Sequence, residues 1–109
     1  MSTPMETYDA CMELHRAGKI DEATDGLIKL TESNPDFALA YNSLAAIWKK
    51  RGDLGKAIGY AEKYCEQVPD DAFGYSILSA YCIEAGEREK AEDALGKAHD
   101  LRFKAQFGM

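Results

Sequence analysis

The sequence repeats itself with a period of 34, and this feature constrains the fold more than any other. Frames 2–35, 36–69 and 70–103 cover nearly the whole chain and leave a short carboxyl-terminal tail, 104–109. A period of this size is typical of proteins in which each unit buries its apolar face against the next unit. We therefore expect one domain over residues 2–103. The residues that recur in register are Gly18, Gly52 and Gly86, then Ala23, Ala57 and Ala91, and finally Pro35 and Pro69.

Each frame contains two segments with the apolar spacing of an amphipathic helix. Apolar residues recur every three to four positions on both sides of Gly52, and the other frames follow the same pattern. Gly18, Gly52 and Gly86 stand where a helix can end in a left-handed residue. Pro35 and Pro69 close the second helix of a frame. The pattern predicts no strand and six helices, over about residues 3–16, 20–33, 37–50, 54–67, 71–84 and 88–102.

The middle frame resembles the tetratricopeptide repeat, through the spacing of Tyr41, Leu44, Ala45, Trp48, Gly52, Ala57 and Pro69. The resemblance implies an all-α fold, in which three tandem helix-turn-helix repeats form a short right-handed α-solenoid. We also expect Trp48 to anchor the junction between the first and second repeats, because it extends the apolar stripe of its helix. The outer frames depart from the pattern at packing positions, where they carry Thr7, Ala10, Cys11, Ser79 and Cys82.

Charge and cysteine content exclude several classes of partner and site. The chain has 13 Lys and Arg against 19 Asp and Glu, a formal net charge of −6. An acidic surface disfavours nucleic acid and anionic lipid, so neither is expected as a partner. The amino terminus lacks the apolar run of a secretory signal, and no run is long enough to insert into a membrane, so we expect a cytoplasmic protein. Cys11, Cys65 and Cys82 have neither disulfide nor zinc spacing, and we expect them to be reduced and packed.

Nothing in the sequence indicates an enzyme. His15 and His99 are the only histidines, and no phosphate-binding glycine loop or nucleophile motif is present. We therefore predict no catalytic residue, no cofactor and no metal site.

The resemblance implies a protein-binding groove lined by the first helix of each repeat. Its margin carries cations, Arg16, Lys49, Lys50 and Arg51, so a partner with apolar residues flanked by acidic ones would fit it. The alternative is that the larger apolar residues of this set belong to the core. The family's groove geometry places there Met5, Tyr8, Met12, His15 and Arg16; Leu39, Asn42, Ala46, Lys49 and Lys50; and Phe73, Ser76, Ile77, Ala80 and Ile83.

Two other binding functions remain open at this point. A secretion chaperone resembles this chain in having three such repeats and an apolar groove, although those chaperones carry extra flanking helices. The second is self-assembly into a homo-oligomeric scaffold. An apolar edge is expected at the carboxyl end, covered either by the tail folding back or by a second molecule in a two-fold dimer, and we expect the dimer. The residues predicted at this edge are Leu95, Leu101, Phe103 and Phe107.

Overall fold

A computed structural model describes residues 2–108 and consists of three stacked helical hairpins. Each helix packs on the helices before and after it in the chain, and the described residues contain no strand. The all-α architecture and all six predicted helices are confirmed. The helices are α1 (Pro4–Arg16), α2 (Ile20–Ser33), α3 (Ala38–Lys50), α4 (Leu54–Gln67), α5 (Ala72–Glu84) and α6 (Arg88–Phe107).

The turn within each hairpin depends on a glycine in the left-handed conformation. The φ angles of Gly18, Gly52 and Gly86 are 82°, 85° and 77°. A side chain at such a φ would clash with its own backbone, so these three positions favour glycine. The predicted role of the recurring glycines is confirmed.

Side chains cap three of the six helix amino termini. Thr3 and Glu6 form a reciprocal capping box at α1. Asp53 accepts a hydrogen bond from the Lys56 amide at 3.0 Å, and Asp71 accepts one from the Phe73 amide at 3.0 Å. These bonds satisfy amides that the first turn of a helix leaves without a partner.

The core is larger between the first two repeats than at the carboxyl end. Helix α6 buries only three small side chains, those of Ala91, Ala94 and Ala98. Burial of apolar area is the main source of stability, so the third repeat is held by less of it. The larger cluster contains Cys11, Leu27, Leu30, Ala40, Leu44 and Ile47.

The carboxyl-terminal tail differs from its prediction. Helix α6 continues to Phe107 instead of ending near residue 102, because no glycine or proline interrupts it before Gly108, whose φ is 69°. Residues 104–107 therefore do not fold back over the last helix, and that way of covering the apolar edge is ruled out. Phe103 and Phe107 lie one turn apart on this extension, with ring centroids 4.6 Å apart.

Trp48 is half-buried and lies outside the core cluster, so its predicted role as a core anchor is wrong. The neighbouring Ile47 takes the buried position and is 5% exposed. The Trp48 ring lies 4.0 Å from Lys56 Nζ and 5.2 Å from the Arg51 guanidinium. These distances suit cation–π contacts, which need one ring face turned toward the charged side chains.

Candidate protein-binding groove

The first helices of the three repeats each present one exposed apolar side chain at the same position. Met5, Leu39 and Phe73 stand one repeat period apart near the amino ends of α1, α3 and α5. They are 46%, 42% and 66% exposed. The repeat thus exposes one apolar side chain at this position in each first helix, and we call these three residues the row.

Predicted groove residues from α1 and α3 meet at one depression. Its volume is about 210 Å³, and Met12 and Asn42, both half-buried, lie on opposite sides of it. The other predicted residues at this depression are His15, which is half-buried, and Ala46 and Lys50, which are exposed. The depression thus combines small and apolar side chains with His15, Asn42 and a single lysine.

Tyr8, a predicted groove residue, takes part in the packing between the first two repeats. Its hydroxyl lies 2.8 Å from Ser43 Oγ, and its ring centroid lies 5.6 Å from that of Phe37. It packs against the core cluster of the first two repeats. Of the predicted groove residues, Tyr8 is therefore one for which the core interpretation also holds.

Helix α5 contributes the most exposed apolar residues of the predicted set. Phe73 and Ile83, near its two ends, are each 66% exposed. Ala80 is exposed and Ile77 is half-buried. Ser76 Oγ accepts a hydrogen bond from Arg102 at 2.6 Å, so this residue is already engaged with α6.

Most of the predicted cationic margin is paired with carboxylates. Arg16 forms an ion pair with Glu13 one turn earlier on α1. Lys49 Nζ lies 3.8 Å from Glu84 on α5, and Arg51 lies 2.6 Å from Asp21 on α2. Within residues 2–108, Lys50 has no carboxylate within 4.0 Å. Lys50 is therefore the cation of this margin that a ligand could pair with.

A second depression, which sequence reasoning missed, lies at the carboxyl end of the stack. Its volume is about 350 Å³, and Ile83, Arg88 and Leu95 contribute to its lining. Leu95 is 41% exposed, as expected for the apolar edge. The repeat spacing could have revealed it, because Leu95 follows the buried Leu27 and Ala61 at intervals of one period.

The remaining edge residues do not line the terminal depression with Leu95. Leu101 is half-buried, whereas Phe103 and Phe107 are 53% and 59% exposed. Phe103 and Phe107 lie beyond the predicted end of α6, and their rings contact each other at an angle of 42°. Only Leu95 of the predicted edge set lines the terminal depression.

The cysteines are buried packing residues, as predicted. Burial raises the pKa of the Cys65 thiol to about 11, and burial also raises the pKa of Cys11 and of Cys82. A thiol with a raised pKa is a poor nucleophile and a poor metal ligand. No group of three or more potential ligands in the described part of the chain could hold a metal ion. None of the helices in residues 2–108 is long and apolar enough to cross a membrane.

Solved structures of MamA share this architecture. One aligns with a TM-score of 0.85 at 22% identity over 95% of this chain and 61% of that chain. A second aligns with a TM-score of 0.84 at 22% identity over 98% of this chain and 59% of that chain. A structure of MamA from MSR-1 aligns with a TM-score of 0.79 at 18% identity, over 94% and 59% of the two chains. The likeness confirms the tetratricopeptide-repeat fold.

The chain spans about three fifths of the length of these MamA structures. No protein-family model and no curated protein matches the chain. At identities near one fifth, a common fold is no guide to a common partner, because function depends on the residues of the site.

Proposed function

We propose that this chain is a non-catalytic protein-interaction module, whose concave surface binds an apolar peptide or helix. The observation that carries the proposal is the row of Met5, Leu39 and Phe73, one exposed apolar side chain per repeat at the same position. Apolar side chains exposed together on a soluble protein are typical of binding surfaces.

The core does not require this row. Helix α3 buries Ala40, Leu44 and Ile47, so Leu39 lies outside its buried stripe. Helix α5 likewise buries Gly74, Ser79 and Cys82 and leaves Phe73 in solvent. Leaving a phenylalanine exposed forgoes about 1.5–3 kcal/mol of burial, which a bound partner would recover in part.

The charges near the groove indicate which charge the partner would carry. Lys50 lies at the depression shared with Met12 and Asn42, and no carboxylate of the described chain neutralises it. A ligand with an acidic residue next to its apolar anchors would pair with Lys50. Such a pair chiefly fixes the register and speeds association, whereas the apolar anchors supply most of the affinity.

Peptide selection on the intact protein tests the proposal. Peptides would be selected from a displayed random library, and their affinities would then be measured for the parent and for Phe73→Ser. We expect Phe73→Ser to weaken binding about tenfold, which corresponds to about 1.4 kcal/mol. Phe107→Ser is the matched control, because Phe107 is similarly exposed but lies outside the groove. Selected peptides that bind both variants and the parent equally would contradict the groove as the binding site.

Self-assembly into a scaffold is the second candidate. It is supported by the exposure of Ile83 and Leu95 around the terminal depression, where Ile83 is also a member of the predicted groove set. The two surfaces share Ile83, but Met5, Leu39 and Phe73 belong only to the first and Leu95 only to the second, so both functions are compatible in one molecule. Sedimentation of the pure protein over a range of concentrations distinguishes a scaffold from a monomeric adaptor.

A further inference from the structure

The outer face of α6 has the kind of surface that the earlier second helices bury under the next repeat. In the stack, α3 packs on α2 and α5 packs on α4. Leu27 on α2 and Ala61 on α4 are 0% and 4% exposed. Leu95 occupies the equivalent position on α6, one period after Ala61, and is 41% exposed. In the internal repeats, the first helix of the next repeat covers this position. In α6 no helix of the described chain covers it, and the leucine is exposed.

Positive charge flanks this apolar position on both sides. Arg88 and Arg102 stand seven positions before and after Leu95, which is about two helical turns and keeps all three on one face. The Arg102 guanidinium extends across to Ser76 Oγ on α5, at 2.6 Å. The terminal depression beside Leu95 is widened by the exposed Ile83. We call this surface, formed by Ile83, Arg88, Leu95 and Arg102, the end face.

Helix α1 occupies in the first repeat the place that α3 occupies in the second, but its outward face is charged. Helix α3 inserts three buried side chains into its junction with α2: Ala40, Leu44 and Ile47. The residues of α1 that stand one period earlier are Glu6, Ala10 and Glu13, and all three are exposed. Helix α1 therefore presents a small residue, Ala10, between two carboxylates. This pattern is complementary in charge to the end face, where a leucine lies between two arginines.

The internal junction indicates which of these charges would meet. Ile20 on α2 and Ile47 on α3 line the same pocket. Their equivalents are Arg88 on α6, two periods after Ile20, and Glu13 on α1, one period before Ile47. If α1 of a second copy packed on α6 in the way that α3 packs on α2, Glu13 would therefore lie beside Arg88. Opposite charges brought together at a partly desolvated contact attract one another.

The other charges of the two faces fit the same arrangement. Consecutive helices of a stack run antiparallel, so Glu6 would approach the Arg102 end of α6 while Ala10 lies near Leu95. Glu92 is a carboxylate at the terminal depression. Arg16 forms an ion pair with Glu13, so it would approach the same depression and offset the negative charge of Glu92.

A two-fold dimer through the same face is disfavoured by charge. If two α6 helices packed antiparallel about Leu95, Arg88 of one copy would lie opposite Arg102 of the other, because both stand seven positions from Leu95. Like charges held opposite each other at an interface repel. The two-fold dimer expected from sequence is therefore less favourable than packing α1 on the end face.

We propose that a second copy of this chain docks its α1 on the end face of the first, so that the repeats continue head to tail. Such a contact joins two different surfaces, and each added copy offers a new end face, so the assembly is open rather than closed. The contact does not use Met5, Leu39 or Phe73, although Ile83 belongs to both the end face and the predicted groove. The self-association and the peptide-binding function can therefore fail independently.

Complementary blocking of the two surfaces tests the proposal. Leu95→Asp blocks the end face, and Glu13→Arg blocks α1; both positions are exposed within one chain, so we expect both variants to fold. We expect the parent to associate with rising concentration in sedimentation velocity. Each blocked variant alone should sediment as a monomer. An equimolar mixture of the two should form a dimer, because one copy still supplies α1 and the other still supplies the end face.

Controls and contrary outcomes follow from the same experiment. Glu66→Arg makes the same charge change on the exposed surface of α4 and should associate as the parent does, and so should Phe73→Ser. Circular dichroism verifies that every variant is folded. A parent that stays monomeric at all concentrations overturns the proposal. So does a Glu13→Arg variant that associates as the parent does, which is the result expected of a two-fold dimer.

Discussion

The Tyr8 hydroxyl and Ser43 Oγ are 2.8 Å apart and join α1 to α3 beside the predicted groove. The ring of Tyr8 packs on Phe37, so this hydrogen bond connects the groove to the junction of the first two repeats. The same residue thus contributes to the surface that would bind a partner and to the stability of that surface. Variants of Tyr8 must therefore be interpreted through stability before they are interpreted through binding.

Removing the Tyr8 hydroxyl should destabilise the fold modestly. We expect Tyr8→Phe to lower the free energy of unfolding by about 0.5–1.5 kcal/mol, because the ring remains and one hydrogen bond is lost. Ser43→Ala removes the same bond from the other side. In urea unfolding, the double variant should lose less than the sum of the two single losses. Strictly additive losses would mean that this bond contributes nothing to stability.

Alanine substitution at two helical glycines should change the stability of the fold in opposite directions. A Cβ at Gly74 would lie 2.8 Å from the Tyr64 ring, and that ring is held by a 2.6 Å hydrogen bond to Asp71. We expect Gly74→Ala to lower stability by about 1–3 kcal/mol, the usual cost of overpacking. Nothing in the described structure lies within 4 Å of a Cβ at Gly96, so Gly96→Ala should raise stability by up to about 1 kcal/mol. Thermal unfolding that ranks the two variants in the reverse order would contradict the packing of α4 on α5.

Tyr64 should make stability depend on pH in the alkaline range. Its hydrogen bond to Asp71, with burial, raises the pKa of Tyr64 from 10.0 to about 12. The folded state thus favours the neutral phenol, a contribution present in full below pH 10 and lost as the pH rises toward 12. Unfolding measured over this range should show a smaller loss of stability in Tyr64→Phe than in the parent. Identical pH profiles for the two proteins would show that the phenol does not titrate differently on folding.

Leu44 should matter more to stability than Trp48. Leu44 is 0% exposed in the core cluster, so Leu44→Ala should cost about 2–5 kcal/mol. Trp48 is half-buried beneath Lys56, and Trp48→Ala removes contacts on only part of its surface. We therefore expect a smaller loss for Trp48→Ala in chemical denaturation. A larger loss than for Leu44→Ala would place the tryptophan at the centre of the junction, as the sequence alone suggests.

The repeat period predicts local structure well because local structure depends on near neighbours in the chain. Gly18 and Gly52 mark turns through their own backbone freedom, and Asp53 and Asp71 cap helices that begin immediately after them. Each of these features needs information from only a few residues. The six helices and the stack therefore follow from the sequence.

Contacts between distant helices are less accessible to sequence reasoning. The pairing of Lys49 with Glu84 joins α3 to α5, and periodicity indicates only which face of each helix is buried. The extension of α6 to Phe107 was missed because the repeat frame predicts a break near residue 102, whereas the residues there contain no helix breaker before Gly108. The position of Trp48 differs from its prediction for a related reason, because a large residue on the apolar stripe can also lie at the border of that stripe, under a lysine side chain.

Chemical-shift mapping of a selected peptide on the ¹⁵N-labelled protein tests the groove most directly. The proposed function predicts that the largest amide shifts occur in the first helices α1, α3 and α5, centred on Leu39, Ala46 and Phe73. Shifts confined to the second helices, or to α6 around Leu95, would contradict the concave surface as the site of binding.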